Sequence, residues 1–135
     1  MDASILCFDF ANLKMKYAAA NNPIWIIRKN ELIELAPDKM PVGKHDKDTT
    51  PFSQKEIQLE TGDLVYTLTD GMPDQFGGPK GKKFMYKQLK ELLISNSSLA
   101  MEVQKKLLLE TLNNWKNSLE QVDDITLIGI RISWN

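Results

Sequence analysis

The apolar residues of this chain change their spacing partway along, and that change limits the folds open to it. Up to residue 70 they form short runs with the alternation of strands, after Gly78 they recur at helical intervals, and one strand-like run closes the chain. Strands, then helices, then a last strand specify an α+β fold, an antiparallel sheet system with helices packed on it. The runs "SILCFDF", "KMKYAAA", "IWIIRK" and "ELIEL" are separated by the turn-forming "ANL", "NNP" and "KN". This predicts a β meander over residues 4–35, with Asn30 in the left-handed position of a tight hairpin between Arg28 and Glu31. "PDKMPVGKHDKDTTPFSQ" then reads as a long surface loop, and strand character returns over 55–70. Within "GDLVYTLTDG", Leu64, Tyr66 and Leu68 face one way and Val65, Thr67 and Thr69 the other. Asp70 therefore stands where the strand ends and its carboxylate can leave the core.

The helical region spans about 82–119. Phe84, Leu89, Leu92 and Leu93 carry the first helix, and Ser97 or Ser98 can cap a second. Leu99, Val103, Leu107, Leu108, Leu112, Trp115 and Leu119 would form its broad apolar face. The last strand, 124–133, is nearly continuous in apolar residues from Ile125 to Ile132, the pattern of a strand covered on both faces. At 135 residues and 42% hydrophobic composition the chain can build one core, so 1–135 is expected to be a single domain. Its 17 basic and 18 acidic side chains nearly cancel, so no global field would recruit nucleic acid or a membrane surface. No apolar stretch is long enough to span a bilayer, and Met1-Asp2-Ala3 lacks the basic start of a signal peptide. The single cysteine, Cys7, sits between Leu6 and Phe8 and reads as a buried small hydrophobe in a reducing compartment, with the cytoplasm as default.

Asp70 follows one apolar strand, and Asp123 and Asp124 precede another. If those strands are antiparallel neighbours, the carboxylates meet at one rim of the sheet. Gathered there they would suit a hard cation, Mg²⁺ or Mn²⁺. The competing reading makes Asp70-Gly71 and Asp123-Asp124 ordinary turn residues, and spacing alone favours it. In "FGGPKGKKF", Gly77, Gly78 and Gly81 with Lys80, Lys82 and Lys83 could cradle phosphate or form a flap near a phosphoprotein. The stretch lacks the Walker spacing, and a solvated basic helix start explains it more simply. His45, beside Asp46 and Asp48 in the charged loop, is left out of the site. Trp25, Trp115, Trp134, Phe8, Phe10 and Met15 read as packing residues.

"LTDGMPDQFGG" followed by two helices and "VDDITLIGIRI" resembles the C-terminal part of the metal-dependent protein serine/threonine phosphatase (PPM) fold, in its bacterial branch related to stage II sporulation protein E, SpoIIE. "YAAANNPIWIIRKNELIEL" is similar to that family's hairpin around an Asn-Pro turn, "KMPVG" to its Pro-x-Gly loop, and "ETGDLVYTLTDG" to its strand into a metal aspartate. The resemblance implies an antiparallel β-sandwich with flanking helices that lacks its N-terminal portion. It implies Asp70 and Asp123 as metal ligands, with Gly71 and Asp124 supporting. It further implies hydrolysis of phosphoserine or phosphothreonine by a water held between two Mg²⁺ or Mn²⁺ ions, without a side-chain nucleophile. The parent would be a bacterial signalling protein, and its substrate a phosphoprotein such as an anti-sigma factor antagonist.

The family's earlier ligands, an acidic residue and an Asp-x-x-Gly-His-Gly-like stretch, have no counterpart here. The expectation is therefore a back portion that binds metal weakly or not at all and is inactive alone. Sheet faces and edges left uncovered by that absence predict a homo-oligomer. Two alternatives are a non-catalytic interaction module derived from a phosphatase and a stand-alone acidic metal-binding domain.

Overall fold

Backbone pairing sorts the strands into two main antiparallel sheets and one small hairpin. The computed structural model describes residues 1–46 and 49–133; Asp48 and Trp134, named above, lie outside them. The first sheet has the order β1-β2-β5, with β1 at Ala3–Asp9, β2 at Lys14–Ala20 and β5 at Lys55–Gln58. The second has the order β4-β3-β6-β9, from β3 (Ile24–Arg28), β4 (Glu31–Leu35), β6 (Leu64–Leu68) and β9 (Leu127–Arg131). The helices are α1 (Gly71–Asp74), α2 (Met85–Ser95) and α3 (Met101–Lys116). The architecture is the α+β, antiparallel one expected.

Two cores follow from the pleat of the central strands. Ile24 and Ile26 of β3 and Val65 of β6 meet Met15, Tyr17 and Ala19 of β2 between the sheets. Their alternate neighbours Trp25, Ile27, Leu64, Tyr66 and Leu68 face away, against Met72 of α1 and Leu89 and Leu93 of α2. The layers are thus sheet, sheet and helices, and strands β3 and β6 carry apolar residues on both faces because both faces are covered.

Several expectations need correction. The first four strands are not one meander: β1 pairs β2 and β3 pairs β4, but the chain changes sheets at Asn21-Asn22-Pro23. Asn21 takes a positive φ of 60°, and its N–H donates to Asp38 O at 3.0 Å, while Asp38 N–H donates to Ala19 O at 2.9 Å. The hairpin at Asn30 is as expected in kind, with left-handed φ at both Lys29 (50°) and Asn30 (65°), the paired signature of a type I′ turn. Strand β9 is an edge, not a strand covered on both faces, and Ile128 on it is exposed. Cys7 is exposed, because β1 is itself an edge that buries one face: Ser4, Leu6 and Phe8 are half-buried and Ile5, Cys7 and Asp9 open to solvent. Phe10, past the strand's end, is also exposed and stacks on Phe8 at 5.5 Å.

The helical region begins later than the spacing suggested. Lys82–Lys83 is a strand, β8, paired with β7 at Phe76–Gly77, so the basic stretch is part of a hairpin and not a helix start. Neither Ser97 nor Ser98 caps α3. The N-cap is Ala100, without a side-chain hydrogen bond, and the buried Ser97 hydroxyl instead donates to Asn30 Oδ1 at 3.0 Å. On α3, Val103 is exposed, as is Leu119 beyond the helix, and Gln104 is the residue most deeply buried.

Candidate metal-site rim

The pairing of β6 with β9 runs antiparallel in the register Leu68↔Leu127, and it decides where the acidic residues lie. One residue beyond the paired strands, Thr69 N–H donates to Thr126 O at 2.9 Å. The Thr69 hydroxyl donates to Asp124 O at 2.8 Å and accepts from Thr126 N–H at 3.0 Å. This threonine stitches the segment ending in Asp70 to the segment beginning at Asp123. Gly71 allows the close fit: a Cβ there would overlap the Asp124 carbonyl oxygen and stand 2.9 Å from its carbon. The backbones of Asp70-Gly71 and Asp124 therefore share one rim of the second sheet.

The four candidate residues play different parts on this rim. Asp70 is half-buried, with φ −76° and ψ −7°, and opens the single turn of α1 without capping it through its side chain; its carbonyl accepts from Asp74 N–H at 2.9 Å. Gly71 is buried. Asp123 is exposed, and its Oδ1 accepts from Asp124 N–H at 2.7 Å, the self-bonding of a turn aspartate. Asp124 is exposed and its backbone, through the Thr69 hydroxyl, does the joining.

Three side chains of the surrounding elements, Lys83, Tyr86 and Glu34, are not evident from motif reading. Lys83 pairs with Asp74 at 3.0 Å and ties the β7–β8 hairpin to α1. Tyr86, at the start of α2, packs edge-on against buried Trp25 at 5.9 Å. Burial pushes its phenol up, and the negative charges of Asp70, Asp74 and Glu34 push the same way, so it stays a neutral donor facing that acidic group. Glu34 itself is held below the usual carboxylate range, first by its bond to Lys90 (2.6 Å) and also by the Trp25 indole N–H (2.8 Å). Only the β-turn threonine before an Asp-Gly pair could have hinted at the stitch; Tyr86 and Lys83 depend on how α2 and the hairpin fold back.

Two of the hairpin glycines are engaged with α3. Gly77 and Gly78 lie against the Trp115 side chain, Gly78 N–H donates to Trp115 O at 2.8 Å, and the Trp115 indole donates to Gln75 O at 3.0 Å. Gly77 and Gly78 let the hairpin close on α3. His45 is half-buried in its loop.

Carboxylates are the right donors for Mg²⁺ or Mn²⁺, but hard cations need more of them than this rim offers. Among the described residues, no group of three or more His, Cys, Asp or Glu is placed to hold a metal ion. The donor chemistry fits such an ion, and the two aspartates of this rim are fewer than its usual ligand set. Among the described residues no helix is long and apolar enough to cross a membrane.

The fold defined by this geometry is that of PP2C-type phosphatase domains. The chain is similar to the SiaA-PP2C domain of Pseudomonas aeruginosa, with 25% identity and a TM-score of 0.88 over 96% of this chain and 51% of that one. It is similar in fold to the phosphatase domain of the cell fate determinant SpoIIE from Bacillus subtilis, solved after a Mn presoak (20% identity, TM-score 0.70, 100% of this chain and 57% of that one). It is also similar in fold to part of a chain that holds the RsbU and RsbW domains of Rv1364c from Mycobacterium tuberculosis (21% identity, TM-score 0.70, 96% of this chain and 35% of that one). Residues 1–133 match the family of stage II sporulation protein E, and the chain belongs to that SpoIIE family. It spans about half the length of the first two solved domains. No curated protein sequence matches it.

Proposed function

We propose that this chain is the back portion of a metal-dependent protein serine/threonine phosphatase domain of a bacterial signalling protein, acting in the cytoplasm on a phosphoprotein. The observation that carries the reading is the Thr69 stitch, which joins the Asp70 and Asp123-Asp124 segments at one rim. In this reading Asp70 and Asp123 are ligands to Mg²⁺ or Mn²⁺, and Gly71 and Asp124 hold the two segments in register. The metal, when bound, supplies the charge neutralisation and water activation that phosphoester hydrolysis needs. The chain's own part is to hold the backbones of the two segments together, with Asp70 half-buried on the shared rim.

With two carboxylates only, the 135 residues alone bind metal weakly and turn over no substrate, and the remaining donors come from protein outside them. The similarity to a chain carrying RsbU and RsbW domains supports a substrate from the same kind of circuit, an anti-sigma factor antagonist. The shortage of ligands also favours a second reading, an interaction module derived from a phosphatase.

Titrating Mn²⁺ into the labelled chain and following paramagnetic broadening separates the two. The expected result is broadening centred on Asp70 and Asp123 together, appearing only toward the 10⁻⁴–10⁻³ M range or about that weak, and lost in Asp70→Asn. Broadening at neither residue with the fold intact would leave the module reading, and turnover of a chromogenic phosphate ester by this chain would show that it needs no further donors.

A further inference from the structure

Gln75 is fully buried at the end of α1, and its polar groups reach three other parts of the chain. Its carbonyl accepts the Trp115 indole N–H of α3 at 3.0 Å and the Phe84 N–H, just before α2, at 2.9 Å. Held in this way by its backbone, the residue is a fixed point. Its side-chain Nε2 donates to Phe76 O at 3.0 Å and, across 45 positions of sequence, to Glu120 O at 2.9 Å. Two carbonyl oxygens against one nitrogen fix which way the amide faces, because turning it over would set Oε1 against both. In that orientation Oε1 is buried and has no hydrogen-bond partner among the described residues. An unpaired buried acceptor is costly, and an apolar side chain of similar length would avoid the cost. The glutamine is therefore explained by what its donor holds.

What it holds is the approach to Asp123. Residues 117–124 are all exposed, so no buried side chain anchors them. Among the described residues, the bond from Gln75 is the one hydrogen bond that joins 120–123 to another element; the others there stay within the segment, from Gln121 Nε2 to Asp123 O and from Asp124 N–H to Asp123 Oδ1. The positions complement those of the Thr69 stitch. Thr69 precedes Asp70 and bonds Asp124, which follows Asp123; Gln75 follows Asp70 and bonds Glu120, which precedes Asp123. Fastened at both ends, residues 69–75 and 120–124 form one closed ring that contains both aspartates.

We propose that Gln75 is a positioning residue of the rim, its buried amide fixing the Glu120 segment against α1 so that Asp123 is held on the same closed ring as Asp70. The ring stands on hydrogen bonds alone, whereas its service to a metal ion rests on the phosphatase reading.

The test uses the full 135-residue chain, labelled for NMR, in two arms. Without metal, the Gln75 side-chain amide protons of the unmodified chain should exchange slowly, and Gln75→Met, of similar size but without a donor, should drop the backbone order parameters of 120–123 below about 0.6 while β6 and β9 keep theirs. Gln75→Glu adds a signature that mere filling of space would not produce. Its protonated carboxyl can still donate to Glu120 O and its carboxylate cannot, so the segment should be ordered in acidic buffer and loose in alkaline buffer. With Mn²⁺, Gln75→Met should raise the concentration that broadens Asp123 by about tenfold or more, the usual effect of removing a group that orients a ligand. Fast exchange of the Gln75 amide protons, unchanged order at 120–123 in a folded Gln75→Met, or loosening without any change in the Mn²⁺ response would each overturn the proposal. Should Gln75→Met fail to fold, the pH comparison within Gln75→Glu and the exchange rates of the unmodified chain decide. Loosening in Gln75→Met, with no Mn²⁺ broadening even in the unmodified chain, would keep the ring and remove the phosphatase reading instead.

Discussion

Gly71 has an ordinary backbone conformation, so its identity is set by space and not by φ. Adding one methyl forces the Asp124 carbonyl away and strains the Thr69 stitch. Gly71→Ala is expected to cost about 1–3 kcal/mol, as overpacking of a closed contact does. The same substitution should speed hydrogen exchange at the Thr126 amide. A denaturant midpoint equal to that of the unmodified chain would show that the two segments are not pressed together. Tyr66 makes a second prediction at this scale. Burial raises its phenol to about 12, with the Arg131 charge and the Gln104 bond pulling the other way. An unfolded tyrosine titrates near pH 10, so the folded state holds this proton more tightly. Its contribution is complete below about pH 10 and lost as pH rises to about 12, some 2–3 kcal/mol on an order-of-magnitude basis. Chemical denaturation across that range should show the fall, and Tyr66→Phe should make it shallower.

At the scale of elements, the cap of α3 is open to improvement. Ala100 has the extended backbone of an N-cap, φ −58° and ψ 149°, without an acceptor to offer the first turn. Ala100→Ser is expected to raise stability by about 0.5–2 kcal/mol, measured as a higher denaturant midpoint. The elements also show what a sequence can disclose. The faces of β6 are legible because alternation is local and both faces are covered. Cys7 and Ile128 defeat the same logic, since an apolar run reads alike on an edge and in a centre, and only strand order tells them apart. The serines before α3 look like caps, but Ser97 is spent on Asn30, a partner 67 residues away. The Asp70 and Asp123 segments could be paired on paper only by assuming that β6 and β9 are neighbours; the threonine that fastens them becomes visible once the register Leu68↔Leu127 is known.

Across the whole molecule, the open edges matter most. Strand β9 ends the second sheet with Ile128 exposed, and β1 ends the first with Ile5 exposed. Unpaired edges bearing apolar residues favour pairing with another copy. Self-association is the expected outcome, seen as a mass above the monomer's 15.4 kDa by light scattering at micromolar concentration. A monomeric mass there, with a charged substitution such as Ile128→Lys making no difference, would refute it.

Strands β5 and β6, separated by a short turn, go to different sheets: β5 completes the first beside β2, and β6 takes the middle of the second beside β3. Early in folding, the β1–β2 and β3–β4 hairpins can each zip up locally, but neither layer is finished until this one distant segment arrives. Its arrival completes the first layer and gives the second the strand on which β9 then pairs, so the rate of that long-range search, and not hairpin formation, should govern how fast the molecule becomes native.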